Sequence, residues 1–158
     1  MASIERAIDV DVPVRIAYDQ WTQFESFPSF MEGVKEVHQV DDKRLRWRAE
    51  IAGKEEEWEA EITEQQPDRM IAWRSIAGAL NAGTVTFEPR DGATRVKLRI
   101  DYAPEDATEK AGSALGVVSA RIQGDLDRFK EFIESRHEPT GAWRGDIHDG
   151  VRVDRSEG

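Results

Sequence analysis

The sequence holds three imidazoles, His38, His137 and His148, and no cysteine. Disulfides, thiol nucleophiles and cysteine-ligated metals are thereby excluded, and a histidine-rich metal site lacks enough ligands. A catalytic triad needs a nucleophile, a base and an orienting group within mutual reach. His38 lies where Val34, Val37 and Val40 break strand alternation, so it reads as a surface or edge residue rather than a base. Paired carboxylates at inward positions are absent. Residues 78–83, Gly-Ala-Leu-Asn-Ala-Gly, lack the spacing and the strand-to-helix setting of a phosphate loop. The residues that invite a chemical role are instead Trp47, Trp58 and Trp73. Indoles of this size either fill a core or form the walls of a cavity for an apolar ligand, and both readings stand.

Their placement follows from the elements around them. Strand periodicity, two residues per repeat, covers Ser3–Val10 and then Val34–Asp41, Arg44–Ala52, Glu55–Gln66, Met70–Ala77, Ala82–Arg90 and Ala93–Tyr102. Short separators, among them Gly53-Lys54, Pro67-Asp68 and Asp91-Gly92, make these strands mostly antiparallel hairpins. Between the first two strands, Pro13 opens a helix over about Val14–Thr22, and a second helical stretch runs from Phe24 to Met31. Asp106-Ala107-Thr108-Glu109 has the form of a capping box for a long helix reaching Arg136. Leu115, Val118, Ile122, Leu126, Phe129 and Ile133 form its apolar stripe; Gly112 and Gly116 leave a break into two helices open.

Parity then sorts the strands into two faces. Leu45, Trp47, Ala49 and Ile51 point one way, with Trp58, Ala60 and Ile62, Ile71, Trp73 and Ser75, Val85 and Phe87, and Val96, Leu98, Ile100 and Tyr102. Arg46, Arg48, Glu50, Glu57, Glu59, Glu61 and Arg74 point the other way and predict cross-strand ion pairs on a wet face. The long helix is the element available to cover the apolar face. Any gap between them would be lined by the three tryptophans, Val85, Phe87 and Leu98, with Val118 and Ile122 from the helix. Tyr18, Ser75 and Tyr102 are the polar groups nearest to it.

The chain has 158 residues, of which 39% are hydrophobic and 34% charged, enough for one domain with a real core. Its 22 Lys and Arg against 32 Asp and Glu give a formal net charge of −10. Such a chain is repelled by nucleic-acid phosphates and anionic lipid, and it shows no basic patch to overcome that. No segment approaches the roughly 20 apolar residues of a membrane span. Charges at Glu5, Arg6, Asp9 and Asp11 rule out a signal-peptide apolar region, so a cytoplasmic protein without stable membrane insertion is expected. A single domain over residues 1–137 and a flexible polar tail over 138–158, with Trp143 its one large apolar residue, complete the expected organisation.

Strand, two short helices, six strands and a long helix is the helix-grip order, an α+β arrangement with a seven-stranded curved antiparallel sheet. Pro13, Tyr18, Trp21, Phe24 and Phe27-Pro28-Ser29-Phe30-Met31 strengthen the likeness, as do Pro67, Gly83-Thr84-Val85-Thr86-Phe87, Arg128-Phe129-Lys130 and Thr140-Gly141-Ala142-Trp143-Arg144-Gly145. Together they resemble the polyketide cyclase/dehydrase, coenzyme Q-binding-like branch of the START-like (SRPBCC) superfamily. The resemblance implies a deep apolar pocket between sheet and helix that binds or carries a lipid-, quinone- or polyketide-like molecule, with no cofactor. Its alternative is an aromatase/cyclase or dehydratase, in which a pocket arginine and tyrosines orient a poly-β-ketone. Arg46, Arg48 and Arg74, facing outward, do not supply that arginine. The sequence leaves room for a homodimer.

Overall fold

Alternating apolar and polar residues build the sheet, and a computed structural model describes the chain over residues 2–31, 33–41, 43–51, 54–78, 80–103, 111–148 and 151–153. Strands β1 (Ala2–Val10), β2 (Val34–Gln39), β3 (Arg44–Ile51), β4 (Lys54–Gln66), β5 (Met70–Gly78), β6 (Leu80–Arg90) and β7 (Ala93–Ala103) pair antiparallel in the order β1-β7-β6-β5-β4-β3-β2. Each strand lies within a few residues of its predicted span. The β6–β7 hairpin turns on Asp91 and Gly92, both at positive φ (48° and 86°), the primed turn whose twist matches the strands. The register with β5 shifts twice, leaving Ile76 as an extra residue in β5 opposite Glu59/Ala60 and Thr63 as an extra residue in β4 between Ile62 and Glu64. Such bulges bend a strand and tighten its twist. The sheet therefore curls.

Helix α1 (Val14–Trp21) starts after Pro13, whose carbonyl accepts from the Ile16 and Ala17 amides at 3.0 and 3.2 Å. A 3-10 helix, Phe24–Ser29, follows and is tighter and shorter than the predicted stretch to Met31, with Pro28 inside it. Helix α2 runs unbroken over Ala111–Arg136, so the break left open at Gly112–Gly116 does not occur; the Asp106–Glu109 capping box lies outside the described residues. Ile122, Leu126, Phe129 and Ile133 of α2 are buried in the same cluster as Leu45, Ile62, Ile71, Val85, Phe87, Val96 and Leu98 of the sheet. Three- and four-residue spacing on the helix meets two-residue spacing on the strands. This is the helix-grip fold.

The outer face carries the predicted charge pairs. Arg46 lies 3.3 Å from Glu59, and Arg48 lies 2.9 Å from Glu36 and 3.5 Å from Glu55. Hydrogen bonding to Glu36 is the main reason the Arg48 guanidinium is held above its ordinary pKa. His38 is exposed on β2, with Nδ1 3.5 Å from the Glu25 carboxylate, as expected of an edge residue.

The expectation of a flexible tail from residue 138 is corrected for residues 140–148. The Thr140 amide donates to Gln20 Oε1 (2.8 Å), and the Trp143 amide donates to Thr22 Oγ1 (3.1 Å). Arg144 bonds Asp19 and lies 2.8 Å from Asp68. Strand β8 (Asp146–His148) adds to the part of β4 that β3 leaves uncovered, pairing Gln65 with Ile147, and continues into β9 (Val151–Val153). Ile147 is fully buried. Composition missed this because a few apolar and ionic anchors suffice to hold an otherwise polar strap.

Candidate functional site: an apolar cavity between sheet and helix

Aromatic rings run edge-on through the interior. Tyr18 meets Phe87 (centroids 5.4 Å apart), Phe87 meets Trp21 (6.3 Å), and Trp21 meets both Phe129 (5.0 Å) and Phe27 (5.6 Å). Phe27 leads on to Trp47 at 5.7 Å, and Trp47 stacks on Trp58 at 5.8 Å with the rings within 8° of parallel. At the Tyr18 end the interior is closed: Arg144 of the docked strap lies over the Tyr18 ring at 5.5 Å. At the Trp58 end the curled sheet stands away from α2, and packing stops.

There a cavity of about 150 Å³ opens. Space of that order in an apolar surround accommodates a molecule the size of a benzene ring. Leu45 and Trp47 of β3, Trp58 and Ile62 of β4, Ile71 and Trp73 of β5, Leu98 and Ile100 of β7, and Ile122 and Leu126 of α2 form its walls. Trp21 at the end of α1 and Phe24, Phe27 and Met31 of the connection after it close the cavity from that side. Ile71 and Ile62 are fully buried, whereas Glu50, which also lines the cavity, is exposed; the cavity therefore reaches the surface on that side. Neither the Trp47 nor the Trp58 indole N–H has a hydrogen-bond partner among the described residues.

Two glycines let aromatic and charged groups take their places. Gly83 pairs with Trp73 across β5 and β6, and a Cβ there would collide with the indole ring. Gly33, at the start of β2, lies beneath the Arg121 guanidinium in the same way.

Of the sequence-predicted residues, the structure brings Trp47, Trp58, Trp73, Leu98 and Ile122 together around the cavity. Tyr18, Val85 and Phe87 do not line it; they belong to the packed interior, Val85 paired across its strand neighbours with Ile71 and Leu98. Ser75, half-buried beside the β5 bulge at Ile76, does not line it either. The backbones of Tyr102 and Val118 fall in β7 and α2, and their side chains lie outside the described residues.

Sequence reasoning missed the charged lining. Arg121 and Asp125 of α2 reach the cavity beside Ile122 and Leu126, and Glu50 reaches it from β3. Asp125 is buried and accepts from Arg128 at 2.5 Å; Arg128 in turn donates to the Phe30 carbonyl at 2.9 Å. Glu50 lies 3.9 Å from Lys35. The signal for Arg121 and Asp125 was present: they sit one residue before two members of the apolar stripe, on its flank, four residues apart.

Known proteins are similar to this chain in sequence and in architecture. An uncharacterized 17.2 kDa protein encoded in the melC2-rnhH intergenic region of Streptomyces lincolnensis is 48% identical over 149 residues, covering 93% of this chain and 99% of the relative. A solved structure from Deinococcus radiodurans is 31% identical and superposes with a TM-score of 0.69, over 86% of this chain and 99% of that one. The Zhui aromatase/cyclase of a Streptomyces species, 16% identical, shares the fold with a TM-score of 0.74 over 90% of this chain and 99% of that one. Residues 10–131 match the profile of the family described as "Polyketide cyclase / dehydrase and lipid transport", and the chain belongs to that family.

Proposed function

We propose that the protein binds or carries a hydrophobic small molecule in the cavity between β3–β5 and α2, with Trp47, Trp58, Trp73, Leu98 and Ile122 as ligand contacts. One observation carries this reading: apolar side chains of both sheet and helix face an unfilled space that reaches the surface. Apolar surface gains by leaving water at about 25 cal/mol per Å², so a space lined this way favours an apolar occupant. The flat indoles suit a planar or chain-like body, and membership of a family described by cyclases and lipid transport supports a lipid-, quinone- or polyketide-like chemistry.

The test is ligand-linked stability combined with a filled cavity. Naphthalene at a hundredfold excess over its Kd raises unfolding free energy by about 2.7 kcal/mol in the wild type. Leu126→Trp fills the cavity and abolishes that gain. Equal stabilisation of both proteins, or of neither, would place binding elsewhere or nowhere.

A second reading, cyclisation or dehydration of a polyketide-like substrate, has one observation in its favour. Asp125 brings a buried carboxylate to the cavity wall, a group able to move protons during enolisation and water loss. Turnover of a poly-β-ketone mimic by the wild type, lost in Asp125→Asn, separates this reading from binding alone.

A further inference from the structure

Arg121 is the one cation lining the cavity among the described residues. It is half-buried, its guanidinium lies over Gly33, and the two carboxylates of the lining are engaged elsewhere: Asp125 with Arg128 and Glu50 with Lys35. Among the described residues no carboxylate stands within ion-pair distance of Arg121. Asp125 occupies the i+4 position that ordinarily pairs with it, yet turns to Arg128 instead. A partly desolvated cation with no counter-ion among the described residues, set in the wall of an apolar cavity, is half of a charge-assisted contact. The planar fork of a guanidinium matches the two oxygens of a carboxylate.

We propose that the cavity takes an amphiphile with one carboxylate head, its apolar body among Trp47, Trp58 and Trp73 and its head on Arg121. This rests on the apolar-ligand reading above and adds the chemistry of the head. Gly33 contributes by having no side chain: it leaves the guanidinium the space that a Cβ would occupy. A chain with a net charge of −10 repels free anions, so capture of an anionic ligand depends on this one local cation and on the buried apolar body.

Calorimetric titration of the full chain with octanoate and with octanol tests it. The two probes share the body and differ in the head. Arg121→Gln weakens octanoate by about tenfold and changes octanol less than about twofold, while Arg121→Lys recovers part of the octanoate affinity. Wild-type octanoate binding also falls with added salt while octanol binding does not, a readout that needs no variant. Octanoate binding that is indifferent to both Arg121→Gln and salt, or equal losses for the two probes, overturns the assignment and leaves the apolar-ligand reading intact. Failure of both probes to bind the wild type overturns both.

Discussion

Glu134 is the residue through which acid should loosen this fold. A hydrogen bond from Lys130 (2.6 Å) holds its carboxyl below the ordinary glutamate range; burial works against this, and the Asp11 amide (2.7 Å) helps. Because the folded pKa is lowered, the stabilisation is present above the unfolded glutamate range and is lost as pH falls through the folded value. Glu134→Gln therefore costs about 1 kcal/mol in urea unfolding at neutral pH and flattens the decline of stability in acid. An unchanged acid slope would assign that sensitivity to other carboxylates. Arg144 poses the opposite problem: burial disfavours its charge, yet hydrogen bonds to Asp68 and Asp19 outweigh burial and raise its pKa. Arg144→Met leaves the buried Asp19 carboxylate with only the exposed Arg15, at 3.8 Å, and should cost about 2–3 kcal/mol; a loss under about 0.5 kcal/mol would mean that the Arg144 pair adds nothing. Arg48, out on the wet face, should tolerate alanine with no change in naphthalene affinity.

At the level of elements, the strand faces were readable because a side-chain period of two leaves little ambiguity once one face is apolar. Trp47, Trp58 and Trp73 fell on one wall for that reason, and Arg46 and Arg48 on the other. The helix was less legible. Its stripe predicted the buried Ile122, Leu126, Phe129 and Ile133, but a stripe has flanks, and the flank that reaches the cavity depends on how far the sheet curls. One bulge in β4, at Thr63, and one in β5, at Ile76, set that curl, and nothing in the residue pattern of either strand marks them. Two variants probe these contacts. Phe129→Ala, at the crossing of Trp21 and Phe30, should cost about 3–5 kcal/mol in chemical denaturation; less than about 1 kcal/mol would contradict its place in the core. Gly83→Ala forces the Trp73 ring off its strand and into the cavity, so naphthalene binding should weaken by about tenfold even where the protein stays folded. Undiminished binding would show that Trp73 is not a wall.

For the whole molecule, the docked strap changes what counts as the domain. Polar composition after residue 138 predicted a flexible tail, with Trp143 its one large apolar residue. The structure shares the anchoring between Trp143, half-buried against the core, and Thr140, Arg144 and Ile147, residues of unlike chemistry that no periodicity links. Deleting residues 145–158 exposes the site of Ile147 and frees the β4 edge, and should cost about 1.5–3 kcal/mol; an unchanged melting temperature would contradict the docking. The central claim remains the cavity as a ligand site, and the five tryptophans provide its most direct measurement. Their indole N–H signals in a nitrogen–proton correlation spectrum distinguish the cavity wall, where Trp47 and Trp58 stack, from the strap that holds Trp143. On titration with naphthalene, the signals of Trp47, Trp58 and Trp73 should shift together and saturate, while that of Trp143, on the far strap, stays fixed. No saturable shift at Trp47, Trp58 and Trp73, or a shift at Trp143 as large as theirs, would contradict the account.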